Sequence, residues 1–275
     1  MHNIFYQFDF ELPNQDETDK LIALLSEQGF DGFVEEEDSL TAFIPEINFD
    51  QEAFENVLSK FQVVSYTKSD VENINWNKKW ESEFEPVYVD RFVAIRAHFH
   101  NPIKDVKHEI IITPKMSFGT GHHATTFMMV QQMRSLDFQN KSVFDFGTGT
   151  GILAILAEKM GATSILAIDN DAWSIENAME NTKTNLCKYI KIEKADKINE
   201  DNRFDIILAN INKNVIIDNL KALASIMKAD AILLLSGLLA ADEHEVKQVA
   251  SKFGLYQTNK AERNNWICLQ YQREN

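Results

Sequence analysis

Only two cysteines, Cys187 and Cys268, occur in 275 residues. Two thiols cannot build a disulfide framework, and their spacing matches no metal-binding motif. Both are expected to be ordinary reduced thiols. No metal site is expected either, because no His, Cys or carboxylate cluster has ligand spacing. Long apolar runs are missing too. "AILLLSGLLAA" from Ala231 is the longest and is too short to span a bilayer. The N-terminal "MHNIFYQFDFELP" has no basic segment leading into an apolar core, so no secretory leader is expected. The expectation is a cytoplasmic chain with no membrane contact.

Positive charge is scarce. Lys and Arg number 27 against 42 Asp and Glu, a net −15. The deficit is uneven: residues 1–80 hold seventeen acids and five Lys/Arg, so they account for twelve of the fifteen negative charges. Nucleic-acid binding draws on Lys and Arg at the phosphate backbone, so no direct nucleic-acid binding is expected. Such a surface attracts a basic partner and speeds encounter with it. The 44% hydrophobic and 25% charged content is ordinary for a folded protein, and the length suits one large domain or two unequal ones.

The pattern splits the chain in two. "IFYQFDFEL" alternates at period two, as a half-buried strand does. "DETDKLIALLSEQGF" has helical spacing, acids at its start and Gly29 at its end. Two short strands, "GFVEEE" and "SLTAFIPE", follow, then a helix, "DQEAFENVLSKF", and a strand, "QVVSYTKS". The order β-α-β-β-α-β predicts an α+β, ferredoxin-like domain over residues 1–68. Residues 69–84 read as a linker helix with Trp76 and Trp80 on one face. From residue 85 onward "VYVDRFVAIRAHF" and "HEIIITP" read as strands, and then short apolar strands alternate with helices. That predicts an α/β domain over 85–275, a doubly wound, mostly parallel sheet. A short loop, "AERNN", joins the last two strands, so one of them is expected to be antiparallel.

Glycine is sparse as well, ten in all, yet the letters FGTG occur twice. The first copy is Phe118-Gly119-Thr120-Gly121; the second opens "FGTGTG" from Phe146. Neither ends in Gly-Lys-Ser/Thr, which excludes a Walker-type phosphate loop. The second follows the strand "SVFDF" and leads into a helix from Ile152. Its Gly147-x-Gly149-x-Gly151 spacing differs from the dinucleotide fingerprint G-x-G-x-x-G. Glycine permits a tight turn and close approach of a ligand to the backbone. Asp145 stands two residues before the first glycine and is expected at the mouth of the site. Asp169 ends the next strand, "ILAID", where it can accept both ribose hydroxyls of a nucleoside. A nucleoside with a cationic tail suits such a mouth, and S-adenosyl-L-methionine is one. A nicotinamide cofactor and a purely structural turn are the alternatives.

Asn210 ends the strand "DIILAN", where a substrate would meet the cofactor's methyl group. Its carbonyl can accept a hydrogen bond from an amine and aim the lone pair. The competing role, capping the helix that follows, falls more naturally to Asn212 or Asn214. His122 and His123 are adjacent and so point apart, which makes them poor joint metal ligands; His123 reads as a residue that orders its loop.

"NWNKKWESEFEPVYV", "FGTGHHATT", "FDFGTGTGILAILAEKMGA", "AIDNDAWSIENAMENTKTN", "ILANI" and "LLLSGLL" together resemble the bacterial ribosomal-protein methyltransferases called PrmA. The resemblance runs from about Asn75 to the C-terminus, and FGTG-H-x-x-T-T is its most specific part. It implies methylation of amines on large-subunit protein eleven, at the base of the ribosomal stalk, with an N-terminal domain that recognises this basic substrate. It assigns S-adenosyl-L-methionine contacts to Thr126, Gly147, Asp169 and Asn210. It makes Phe118, Gly119 and Thr120 part of a loop over the methionine end of the cofactor. Asn210 is thereby both the catalytic candidate and a cofactor contact, and a monomer is expected. The chain departs from the family at Thr113-Pro114-Lys115, where Asp-Pro-Gly is usual, and at Asn212, where an apolar residue is usual. The rival activities are methylation of another basic protein, of RNA or of a small molecule, and, in another class, nicotinamide-dependent oxidation.

Overall fold

The computed structural model describes residues 4–11, 15–36, 39–61, 65–72, 84–114 and 121–273. The chain divides into two compact units, 1–83 and 84–275.

In the first unit the elements are β1 (Ile4–Glu11), α1 (Gln15–Glu27), β2 (Gly32–Glu36), β3 (Ser39–Pro45), α2 (Gln51–Leu58) and β4 (Ser65–Glu72). The strands form one sheet in the order β2-β3-β1-β4, with every neighbouring pair antiparallel. Strict alternation along β3 sends Leu40, Ala42 and Ile44 inward. They meet Phe8 and Phe10 of β1, Leu21 and Leu25 of α1, and Phe54 of α2 in one core. Asp50 caps α2 by accepting from the Glu52 and Ala53 amides. β4 continues to Glu72, so the expected boundary at 68 falls inside a strand that pairs with β1 along its length. Trp76 and Trp80 lie outside the described residues.

The second unit opens with a three-stranded sheet of β5 (Val87–Val89), β6 (Val93–Ala97) and β7 (His108–Ile112). "VYVDRFVAIRAHF" is therefore two strands. Asp90 turns the chain with φ 52, and the Phe92 amide donates to the Val89 carbonyl at 3.1 Å. Asp tolerates the left-handed region better than most residues. Then come α3 (Ala124–Met133), β8 (Ser142–Phe146), α4 (Ile152–Lys159), β9 (Ser164–Asp169), α5 (Ala172–Thr184), β10 (Ile190–Lys194), β11 (Phe204–Asn210), α6 (Lys213–Ser225), β12 (Met227–Leu239), α7 (Glu243–Ser251), β13 (Leu255–Arg263) and β14 (Trp266–Arg273). The large sheet runs β10-β9-β8-β11-β12-β14-β13. Its first five strands are parallel, and β14 is antiparallel to both neighbours. β13 and β14 are joined by only two residues, Asn264 and Asn265, both with positive φ, as a tight hairpin requires. Both faces of the sheet are covered. Val143, Ile155 and Met129 belong to one core, and Phe144, Leu220 and Leu233 to the other.

Candidate functional site

Strand order reverses between β8 and β11. In open α/β sheets a ligand binds beyond the carboxyl ends of the strands at such a point. A cavity of about 650 Å³ opens there. Phe146 and Gly147 reach it from β8, Asp169 from β9, Asp196 from beyond β10, Asn210 from β11 and Gly237 from β12.

The second FGTG segment forms the turn at the cavity wall. Gly147 has φ 73, and a Cβ there would collide with Cγ2 of Ile211. Any side chain there would be strained and would force Ile211 to move. The Gly147 and Thr148 amides both donate to the Ile168 carbonyl at 2.9 Å. The Gly149 amide donates to Asp169 Oδ2 at 2.9 Å, and the Asp171 amide to Asp169 Oδ1 at 3.0 Å. A carboxylate has about four acceptor positions, so Asp169 orders the turn and keeps acceptor capacity for a ligand. Gly147, Gly149 and Asp169 line the cavity; Gly151 begins α4 and packs its backbone against Ala178 instead.

Asp145 is not at the mouth. Side chains alternate along β8, and Phe146 takes the cavity side. Asp145 lies behind the turn, 1% exposed, and accepts from the Thr148 hydroxyl at 2.6 Å. Burial pushes its carboxyl up to about 7. The Thr148 hydroxyl and the Ala154 amide pull the other way, and repulsion from Asp169 adds to the rise. A carboxyl raised in the folded state favours folding below its unfolded pKa, and that contribution is lost as pH rises through 7. The loss is on the order of 4 kcal/mol. Asp145→Asn keeps the shape without the charge. Its melting temperature is expected to gain on wild type between pH 4 and pH 8. Parallel melting curves across that range would refute the buried-charge account.

Asn210 is 9% exposed. Its amide nitrogen donates to Thr126 Oγ1 at 3.3 Å, and its Oδ1 is buried with no hydrogen-bond partner among the described residues. Thr126 is fully buried in the first turn of α3 and does not line the cavity. It stands behind Asn210 and orients the amide, so that the acceptor oxygen is left over. Phe118, Gly119 and Thr120 lie outside the described residues.

Asn212 caps α6 by accepting from the Val215 amide at 3.1 Å, which leaves Asn210 to the cavity. His123 caps α3 through Nδ1, which accepts from the Thr125 amide, and its ring sits 4.8 Å from that of Trp266. His122 turns away to the Glu85 carbonyl at 3.0 Å. Burial pushes Cys187 up to about 11 and Cys268 up to about 12, so neither thiol is a nucleophile near neutral pH. Among the described residues no group of three or more His, Cys, Asp or Glu is arranged to hold a metal ion.

Several lining residues escape sequence reasoning. Asp196 and Asp218 join Asp169 on the wall, and among the described residues no Lys or Arg lines it. Trp266 reaches it from the far hairpin. Gly237 has φ 85 at an irregularity in the β12–β14 pairing, where a Cβ would strike the Ile211 carbonyl. A lone glycine inside the apolar strand "LLLSGLL" was the available signal.

A protein-family profile described as "Ribosomal protein L11 methyltransferase (PrmA)" matches residues 11–274. A protein named "Ribosomal protein L11 methyltransferase" from Bacteroides thetaiotaomicron is 34% identical, covering 97% of this chain and 99% of its own. One of the same name from Chlorobaculum tepidum is 39% identical over 92% of each chain. The crystal structure of a ribosomal protein L11 methylase from Lactobacillus delbrueckii subsp. bulgaricus superposes with a TM-score of 0.64 at 28% identity, over 70% of this chain and all of that one.

Proposed function

The chain belongs to the ribosomal protein L11 methyltransferase (PrmA) family, and on that premise we propose that it methylates amine nitrogens of ribosomal protein L11. The amines are lysine side chains, the N-terminal amine, or both. The enzyme is a methyltransferase dependent on S-adenosylmethionine.

The unpartnered Oδ1 of Asn210 carries the reading at the site. An acceptor buried without a partner costs free energy unless a ligand supplies the donor. A substrate amine does so, and the bond aims the nitrogen lone pair. The rest of the wall fits the cofactor: a glycine turn at a helix start, a carboxylate with spare acceptor capacity for ribose hydroxyls, and three acids with no Lys or Arg among the described lining residues. Bound there, S-adenosylmethionine supplies an activated methyl group on a cationic sulfur. The protein's share is then alignment and proximity. Deprotonating a lysine at pH 7 costs roughly 4.6 kcal/mol, and an α-amine about 1 kcal/mol. Burial against Phe146, Ile211 and Val215 disfavours the ammonium and lowers that cost. No dedicated base is required, and His123 is engaged as a cap.

Asp169 is proposed to hold the ribose. Charge-assisted hydrogen bonds are worth about 1.5–3 kcal/mol. Asp169→Ala is therefore expected to weaken S-adenosylmethionine binding by roughly ten- to a hundredfold, and it also frees the Gly149 amide. Calorimetry giving wild-type affinity would remove Asp169 from the site.

The N-terminal unit is read as a ferredoxin-like domain that recognises the substrate, joined after the end of β4 at Glu72 to the catalytic domain 85–275. Its β-α-β-β-α-β order and its β2-β3-β1-β4 antiparallel sheet support the fold reading. Its acidity supports a basic partner. A monomer acting in the cytoplasm on a ribosomal protein, without contacts to nucleic acid, completes the proposal. No helix among the described residues is long and apolar enough to cross a membrane. Incubation with labelled cofactor and ribosomal proteins from an unmethylated strain tests it: label belongs in L11, and label only in RNA or in another protein refutes it.

A further inference from the structure

One edge of β7 is closed by side chains instead of a strand. Its other edge pairs with β6. On the closed edge Ile111 and, two residues on, Thr113 offer backbone N–H and C=O to α5. Asn185 accepts from the Ile111 amide at 3.0 Å and donates to the Ile111 carbonyl at 2.6 Å. Asn181 accepts from the Thr113 amide at 2.7 Å, and Asn177 donates to the Thr113 carbonyl at 3.1 Å. The two repeats match. Four helical residues rise about 6 Å, and two strand residues span about 6.6 Å. Asn185 and Asn181, spaced by four, therefore meet Ile111 and Thr113, two residues apart along the extended chain.

Asn181 does more than the other two. One of its amide hydrogens goes to Asn177 Oδ1 at 2.8 Å, and the other goes to the Thr150 carbonyl at 2.9 Å. Thr150 lies between Gly149 and Gly151 in the glycine turn. Asn181, Asn177 and Thr150 are all fully buried, so water cannot replace these bonds. A single side chain thus accepts from the edge of β7 and donates to the turn on the cavity wall. The task needs a donor and an acceptor on one short planar group. A carboxylate at 181 would face two oxygens, the Thr150 carbonyl and Asn177 Oδ1.

We propose that Asn181 is a positioning residue for cofactor binding. It fixes the Thr150–Gly151 peptide, and with it the place of the Gly147 and Gly149 backbone on the cavity wall. This rests on the reading of the turn as the S-adenosylmethionine site. Asn185 provides the contrast, because it holds the strand but does not touch the turn.

The test is calorimetric titration of the full chain with S-adenosylmethionine, using wild type, Asn181→Leu and Asn185→Leu. Leucine keeps the branching and heavy-atom count of the asparagine side chain, and both substitutions remove ladder bonds. Melting temperature is expected to fall in both. Affinity for S-adenosylmethionine should fall about tenfold or more in Asn181→Leu and stay within about twofold in Asn185→Leu. KM for the ribosomal protein should be unchanged in both. Wild-type affinity in Asn181→Leu overturns the proposal, and so does an equal loss in the two variants. If Asn181→Leu does not fold, Asn181→Ser is titrated in its place. If neither folds while Asn185→Leu does, Asn181 serves the fold and the proposal falls. A wild-type protein that fails to bind S-adenosylmethionine refutes the cofactor reading instead.

Discussion

Alanine in place of Asn210 is expected to lower kcat about a hundredfold while changing S-adenosylmethionine affinity much less. The lost group is the buried Oδ1, an acceptor with no partner among the described residues. In the reaction the substrate nitrogen gains positive charge as its bond to carbon forms. A hydrogen bond from that nitrogen strengthens on the way to the transition state, and bonds of this charged kind are worth about 1.5–3 kcal/mol. Tenfold in rate corresponds to about 1.4 kcal/mol, so one such bond covers one to two decades. Misalignment of the lone pair adds to the loss. Thr126→Val separates orientation from chemistry. It keeps the acceptor and removes the hydroxyl that receives the Asn210 amide at 3.3 Å. Several-fold slower turnover with unchanged affinity is the expected result. Single-turnover rates and calorimetric affinities decide among the outcomes. If rate and affinity fall together in Asn210→Ala, the residue serves mainly as a cofactor contact. If turnover stays at the wild-type level, Asn210 has no part in the site.

The difference between Asn210 and Asn181 shows what can be read from sequence here. Asn210 ends an apolar strand next to a glycine-bearing one, so its place follows from strand alternation and the binding rule for open sheets. Asn177, Asn181 and Asn185 sit in "ENAMENTKTN", whose mixed polarity reads as a solvated helix face. Their buried partners come from the edge of β7 and, for Asn181, also from Thr150 in the glycine turn, and both lie in remote parts of the chain. Asp145 illustrates a second limit. Both faces of a parallel sheet are covered, so alternation in "SVFDF" separates Asp145 from Phe146 without saying which of them meets the ligand. Asp90 illustrates a third. A turn of left-handed Asp inside "VYVDRFVAIRAHF" breaks one expected strand into two. Gly147 and Gly149 were legible as a turn because their left-handed backbone favours glycine, and Asp169 because it ends the neighbouring strand at the same edge of the sheet.

A truncated chain of residues 84–275 is expected to bind S-adenosylmethionine with near wild-type affinity and to lose methylation of ribosomal protein L11. The catalytic unit has its own two cores and contains every described residue that lines the cavity. The unit removed has a separate core and carries most of the net negative charge. Electrostatic attraction of this kind raises association rates by about 10–10³. Losing both attraction and docking surface should lower kcat/KM for the protein substrate by on the order of a hundredfold or more. Salt offers an independent check on the intact enzyme. Exposed charges more than about 8–10 Å apart are screened near physiological ionic strength. Raising salt should therefore lower kcat/KM for the ribosomal protein and leave the affinity for S-adenosylmethionine nearly constant. The simpler alternative is that the acids only keep the chain soluble. It predicts a truncated enzyme that methylates L11 at the full rate and an intact enzyme indifferent to salt, and either result would refute the capture role of the N-terminal unit.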